Sequence, residues 1–158
     1  LVFSAGSSVS SRDLTADVFR SLGEHGVLLH GISHKPGKPT IAGIVENKPV
    51  FGLPGNPVSA AVVFEMLVRP IIYRLAGCFA PPTPAAVTAR LTRDVASQTG
   101  REDHVQVRLV HSNGRVEAEP VFGKSNLIYT LVRSDGSVTV PPEKGGLYAG
   151  EDVSVRLH

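Results

Sequence analysis

The sequence is poor in the features that mark several large protein classes. It holds a single cysteine, Cys78. No disulfide can therefore form within the chain, which fits a reducing compartment and leads us to expect a cytoplasmic protein. Charge of one sign is also lacking: the formal net charge is +2 and lysine and arginine are scattered. A broad nucleic-acid or membrane surface is not expected, whereas a few placed cations still suit a small acidic molecule. The most apolar stretch, residues 58–75, is interrupted by Ser59, Glu65, Arg69, Pro70 and Arg74. A bilayer span needs about 20 predominantly apolar residues, so a buried core helix is expected instead. The N-terminus has no basic region or cleavage signature of a signal peptide. There is no nucleophile elbow, phosphate-binding P-loop or CxxC pair.

What is present suffices for one ordinary domain or two small ones: 158 residues, 42% hydrophobic and 19% charged. The first residue is Leu1 and residues 1–4 read as a strand already under way, so the chain is expected to be a fragment. After the small-residue loop 5–11, Leu14, Val18 and Leu22 recur every four residues and predict a helix that Gly23 ends. Strands are expected at 27–32 and 40–45, around Lys35-Pro36-Gly37-Lys38-Pro39, then a turn at 46–48 and a strand at 49–52. Asn56 is suited to an N-cap and Pro57 to the first helical position. Pro70 is expected to kink or restart the helix that follows.

Residues 77–84 read as a linker, after which the hydrophobic period falls to two. Val105, Val107 and Leu109 alternate with Gln106 and Arg108, and Asn113-Gly114 is a strong hairpin signal. Residues 134–136 form another expected turn, residues 138–140 and 153–157 further strands, and residues 125–132 a short helix. The chain thus divides into an α/β part, residues 1–77, and a small antiparallel β part, residues 78–158.

Three connections in the α/β part follow expected strands, where ligands gather in open α/β sheets. The first runs from Ser4 to Ser11, with small side chains and backbone N–H groups before a helix, a combination that suits an anion but also an ordinary turn. The second holds Lys35 and Lys38 in a segment restricted by Pro36 and Pro39 and bent at Gly37, where two ammonium groups suit phosphate or an oxyanion. An exposed solvated turn would look similar. The third, residues 52–59, aims a helix N-terminus beyond its strand. Asp13 is an expected N-cap, or a carboxylate that holds Mg²⁺ or orients a phosphate. His30 and His34 have a metal-like spacing, yet they fall on a strand-like segment without an obvious third ligand, which argues against a zinc site. Cys78 has no partner motif.

Together the three connections resemble the MoeA/gephyrin family of molybdopterin molybdotransferases. Ser4-Ala5-Gly6-Ser7-Ser8-Val9-Ser10-Ser11-Arg12-Asp13 is similar to the family's SGGVSVGxxD loop, and His30-Gly31-Ile32-Ser33-His34-Lys35-Pro36-Gly37-Lys38-Pro39 to its HGVAxKPGKP segment. Gly52-Leu53-Pro54-Gly55-Asn56-Pro57-Val58-Ser59-Ala60 matches GLPGNPVSA without a break. The resemblance implies an α/β fold: the second half of a three-layer α/β/α molybdopterin-binding domain, followed by a small antiparallel β-barrel-like domain. It implies insertion of molybdate into adenylated molybdopterin with release of AMP and use of Mg²⁺, in a homodimer whose cleft takes parts from both subunits. This fragment alone would be inactive.

The same resemblance implies catalytic roles for Asp13, Lys35 and Lys38, with Asp13 also toward Mg²⁺. It implies substrate contacts for Ser4, Gly6, Ser8, Gly37, Pro54, Gly55, Asn56, Pro57, Ser59 and Ser125. The chain departs from the family pattern at Ala5, Ser7 and Ser10, and Gln106 stands where many members carry arginine. The Ser-Ala-Gly-Ser-Ser variant is similar to members fused to a further substrate-binding-like domain. A scaffolding protein that kept the fold without catalysis is the chief rival expectation, and a related enzyme that inserts tungsten or adenylates the pterin is the third.

Overall fold

The computed structural model describes residues 1–4, 14–22, 26–112, 114–123 and 128–158. The chain divides into two compact units, Leu1–Pro81 and Pro82–His158.

The first unit contains β1 (Val2–Ser4), α1 (Thr15–Ser21), β2 (Gly26–His30), the two-residue β3 (His34–Lys35), β4 (Ile41–Val45), β5 (Lys48–Leu53), α2 (Pro57–Val63) and α3 (Arg69–Leu75). Its sheet has the order β1-β5-β4-β2. The β1–β5 pair is parallel, while β5–β4 and β4–β2 are antiparallel. Alternation along β5 sends successive side chains to opposite faces. Val50 packs with Ile41 and with Ala16 and Phe19 of α1. Phe51 and Leu53 pack with Val63 and Val68 from the helices after β5. A helix covers each face, and the unit is a three-layer α/β/α arrangement.

Two sequence expectations change here. The stripe Leu14, Val18, Leu22 faces outward, with Leu14 67% and Leu22 53% exposed, and the core of α1 is Ala16 and Phe19 instead. Phe19 is the largest apolar side chain on the helix, so its burial fixes the helix rotation and turns the four-residue stripe away from the sheet. The helix begins after Leu14, which occupies the N-cap position without a side-chain cap bond. Asp13, the expected cap, lies outside the described residues.

At Pro70 the helix restarts, as expected, with Pro70 in the first turn of α3. A π-helical segment, Phe64–Val68, joins α2 to α3. The N–H of Arg69 bonds the carbonyl of Phe64, five residues back. Pro70 has no N–H to return four residues, and the widened turn accommodates that missing donor. Glu65 and Arg69 form an ion pair of 2.5 Å across it.

The second unit contains β6 (Ala86–Leu91), β7 (Val95–Ala96), β8 (Glu102–Ser112), β9 (Arg115–Pro120), α4 (Tyr129–Val132), β10 (Gly136–Val140), β11 (Gly146–Leu147) and β12 (Asp152–Leu157). The neighbours β10-β12-β6-β9-β8 close into a barrel-like sheet because β8 also pairs with β10. All of these pairings are antiparallel except β6–β9. The β8–β9 hairpin closes at Ser112 opposite Arg115, as expected for Asn113-Gly114, and β7 with β11 forms a separate ribbon. Ala89, Leu91, Val107, Ala118, Val138, Val140 and Val155 fill the barrel. Gln106 breaks the inside–outside alternation of β8: it is buried, with Oε1 receiving the Ser134 hydroxyl at 3.1 Å and lying 2.9 Å from His158 Nε2. A charged arginine at this covered position would need a counter-charge that these neighbours do not supply.

The β4–β5 hairpin turns through Glu46 and Asn47 at φ 48° and 60°. Both residues need the left-handed region, which Asn tolerates and Glu resists. We expect Glu46→Asn to raise stability by about 1 kcal/mol, and Phe19→Ala to lower it by about 3–5 kcal/mol. Urea denaturation followed by circular dichroism measures both.

Candidate functional site

The strand register of the first unit decides where the three connections emerge. Ser4, the last residue of β1, is paired with Leu53, the last residue of the parallel strand β5. Gly52 lies opposite Ile41, where β4 begins, and Ile41 lies opposite His30, where β2 ends. The Ser4 connection, the lysine loop between β2 and β4, and the turn from β5 into α2 therefore leave the same end of one sheet.

The lysine loop is held by its own backbone. Gly31 N–H donates to the Thr40 carbonyl at 2.7 Å and Ile32 N–H to the Lys38 carbonyl at 2.9 Å. The carbonyl of Gly37 accepts from both the N–H of Thr40, at 3.1 Å, and its buried hydroxyl, at 2.6 Å. His34 is buried and its Nδ1 lies 2.8 Å from the Pro36 carbonyl. Gly37 has φ +125°, and a β-carbon there would collide with the Val63 side chain of α2. The bend thus needs glycine for its dihedral and for its close approach to the helix. Lys35 and Lys38 are exposed on this frame. The Lys35–Pro36 peptide bond is cis.

The third connection places Pro54 in a buried position and leaves Gly55, Asn56 and Pro57 exposed. Asn56 occupies the N-cap position with extended dihedrals, φ −74° and ψ 125°, and its carbonyl accepts from Ala60 N–H at 2.9 Å. Its side chain makes no cap hydrogen bond, contrary to the expectation for that residue. Pro57 opens α2, and Ser59 is buried in the first turn. The N–H groups of that turn have no intrahelical acceptor, and they point toward the sheet end.

Of the sequence-derived candidates, Ser4, Lys35, Gly37, Lys38, Pro54, Gly55, Asn56, Pro57 and Ser59 thus stand on connections gathered at one end of the first unit. Gly6, Ser8, Asp13 and Ser125 lie outside the described residues. His30 sits on β2 and is exposed, whereas His34 sits buried on β3. Sequence reasoning missed two supports, the Thr40 hydroxyl and His34 Nδ1. The available signal was their position: a threonine and a histidine bracketing a Lys-Pro-Gly-Lys-Pro bend are placed to bond carbonyls that proline and glycine leave unpaired. Chemically, ammonium groups and helix-start amides are donors suited to oxyanions.

Both units resemble parts of known proteins. Residues 1–74 match the model of a probable molybdopterin binding domain, and residues 88–157 that of the MoeA C-terminal region, domain IV. A molybdopterin biosynthesis protein of Methanocaldococcus jannaschii is 37% identical over 99% of this chain and 36% of its own length. A molybdopterin molybdenumtransferase of Haemophilus influenzae is 35% identical over 98% of this chain and 38% of its own. The crystal structure of a molybdopterin biosynthesis MoeA protein from Pyrococcus horikosii superposes with a TM-score of 0.78 at 36% identity, covering 99% of this chain and 36% of that one. The chain therefore spans little more than a third of the length of these relatives. With its two units matching two successive domain models of one protein type, the chain belongs to the MoeA family of molybdopterin biosynthesis proteins, as a C-terminal portion.

Proposed function

We propose that the complete polypeptide carrying this chain inserts molybdate into adenylated molybdopterin with release of AMP, and that the first unit supplies part of the anion seat. The observation that carries this is the convergence of the Ser4, Lys35–Lys38 and Pro54–Ser59 connections at one sheet end. Relatives named molybdopterin molybdenumtransferase support the reaction class.

The substrates named here are all anionic: a pterin phosphate, an adenylate and an oxometalate. Lys35 and Lys38 would neutralise that charge, and the amides at the start of α2 would donate hydrogen bonds to phosphate oxygens. Gly55, with no side chain, would admit the ligand close to the backbone, beside the fixed wall formed by Pro54 and Pro57. Ser4 and Ser59 would contribute hydroxyl groups, as would Ser8. Asp13 provides a hard oxygen donor of the kind Mg²⁺ prefers, with phosphate oxygens of the substrate as its natural co-ligands. Mg²⁺ there would offset charge on the departing phosphate. A homodimer in the cytoplasm is the assembly and location consistent with this reading.

The lysine loop works only if its ammonium groups are presented on a fixed backbone. Replacing Lys35 or Lys38 by alanine removes one charge-assisted contact of about 1.5–3 kcal/mol, so AMP release should fall roughly 10- to 100-fold. Asp13→Asn should lower it comparably, with the circular dichroism spectrum unchanged. Full activity in all three variants would remove these residues from the site. Thr40→Val keeps the side-chain shape and deletes the hydroxyl bond to Gly37. It should cost about 1 kcal/mol of stability and speed hydrogen exchange at residues 37–40. An unchanged exchange rate would show that the loop does not depend on that bond.

A further inference from the structure

The second unit carries a cleft where its barrel wall is incomplete. The parallel pairing of β6 with β9 spans only Arg90 with Glu117 and Leu91 with Ala118. Before that point the two strands part. Thr88, Ala89, Arg90, Arg115, Val116 and Asp152 line a cleft of about 460 Å³ there. This volume lies in the range of small-molecule sites, about 300–1,000 Å³, and exceeds what a bare inorganic anion fills.

The polar groups around this cleft are fixed by strand alternation. Ala89 and Leu91 point into the barrel core, so Thr88 and Arg90 point outward. Arg115 follows the two-residue turn of the β8–β9 hairpin and is also exposed. Arg101 and Arg108 of the same unit pair with Asp103 and Glu119. Arg90 and Arg115, by contrast, form no ion pair among the described residues. Asp152 is the register partner of Arg90 on β12. Gly150 lies beside the Arg90 guanidinium, where a β-carbon would sit 3.5 Å from it, an ordinary contact. The lining thus holds two guanidinium groups and one carboxylate, Asp152, and Glu117 stands in register with Arg90 on the neighbouring strand. Guanidinium forks match planar or tetrahedral oxyanions through paired N–H donors.

We propose that this cleft binds a small molecule bearing one phosphate or carboxylate group, held by Arg90 and Arg115 with the Thr88 hydroxyl as a further donor. The site uses no residue of the lysine loop, so it stands or falls independently of the transferase reading. Asp152 opposes the anion and sets selectivity against more highly charged ligands.

Amide chemical shifts of the 158-residue chain, followed during separate titrations with inorganic phosphate and with acetate, test this. Saturable shifts centred on Thr88, Ala89 and Val116 are expected from at least one probe; a response to phosphate alone assigns a phosphoryl ligand, and to acetate alone a carboxylate. Arg90→Gln and Arg115→Gln should each weaken binding about tenfold, the loss of roughly one charge-assisted hydrogen bond. Asp152→Asn should tighten it severalfold, an outcome that damage to the fold would not produce. Arg93→Gln, a charge-matched control on the same unit, should leave it unchanged. No saturable shift with either probe would overturn the proposal, as would Arg90→Gln and Arg115→Gln variants that bind like the parent.

Discussion

The pairing of β1 with β5 in parallel, combined with two antiparallel pairings on the other side of β5, is the constraint on which the first unit depends. A parallel neighbour brings two strand carboxyl ends together. The antiparallel hairpin then returns the chain so that the start of β4 and the end of β2 reach that same end. Three segments separated in sequence become neighbours without any contact among their side chains being needed. Hydrophobic alternation holds this register, because a one-residue slip of β5 would exchange Val50 for Phe51 between the two helical layers.

Packing and chemistry meet at the lysine loop. Gly37 is buried against Val63, so the bend that carries the two ammonium groups is seated on the helix whose first turn supplies amides. Thr40, fully buried, locks the carbonyl at the bend. Lys35 and Lys38 are exposed while the backbone beneath them is fixed, and a fixed frame loses less entropy on binding a ligand.

Much of this was legible in the sequence because it rested on local chemistry. Asn113-Gly114 demanded a hairpin, Pro57 a helix start and Pro36-Gly37 a bend, and each was found where backbone preference puts it. What escaped depended on tertiary context. The regular Leu14, Val18, Leu22 spacing gave the wrong face of α1, since one phenylalanine outweighs a thinner stripe. Gln106 read as a surface residue on an alternating strand, yet Ser134 and His158 cover it. The parallel β6–β9 contact could not be read from alternation at all, because period two is the same for both strand directions. Among candidate site residues, motif spacing identified positions that share a sheet end, but not the buried groups that hold them there.

The π-helical turn has a consequence for helix phase. Val63 and Val68 are both buried in the same cluster, although they are five residues apart. In an uninterrupted α-helix that interval would rotate the second valine well past the first, by roughly 140° at about 3.6 residues per turn. The extra residue between Phe64 and Arg69 absorbs the offset and restores azimuthal alignment. The helix after β5 therefore behaves as two phase-matched halves joined by a single-residue insertion, and shortening this turn by one position would uncouple its distal half from the sheet.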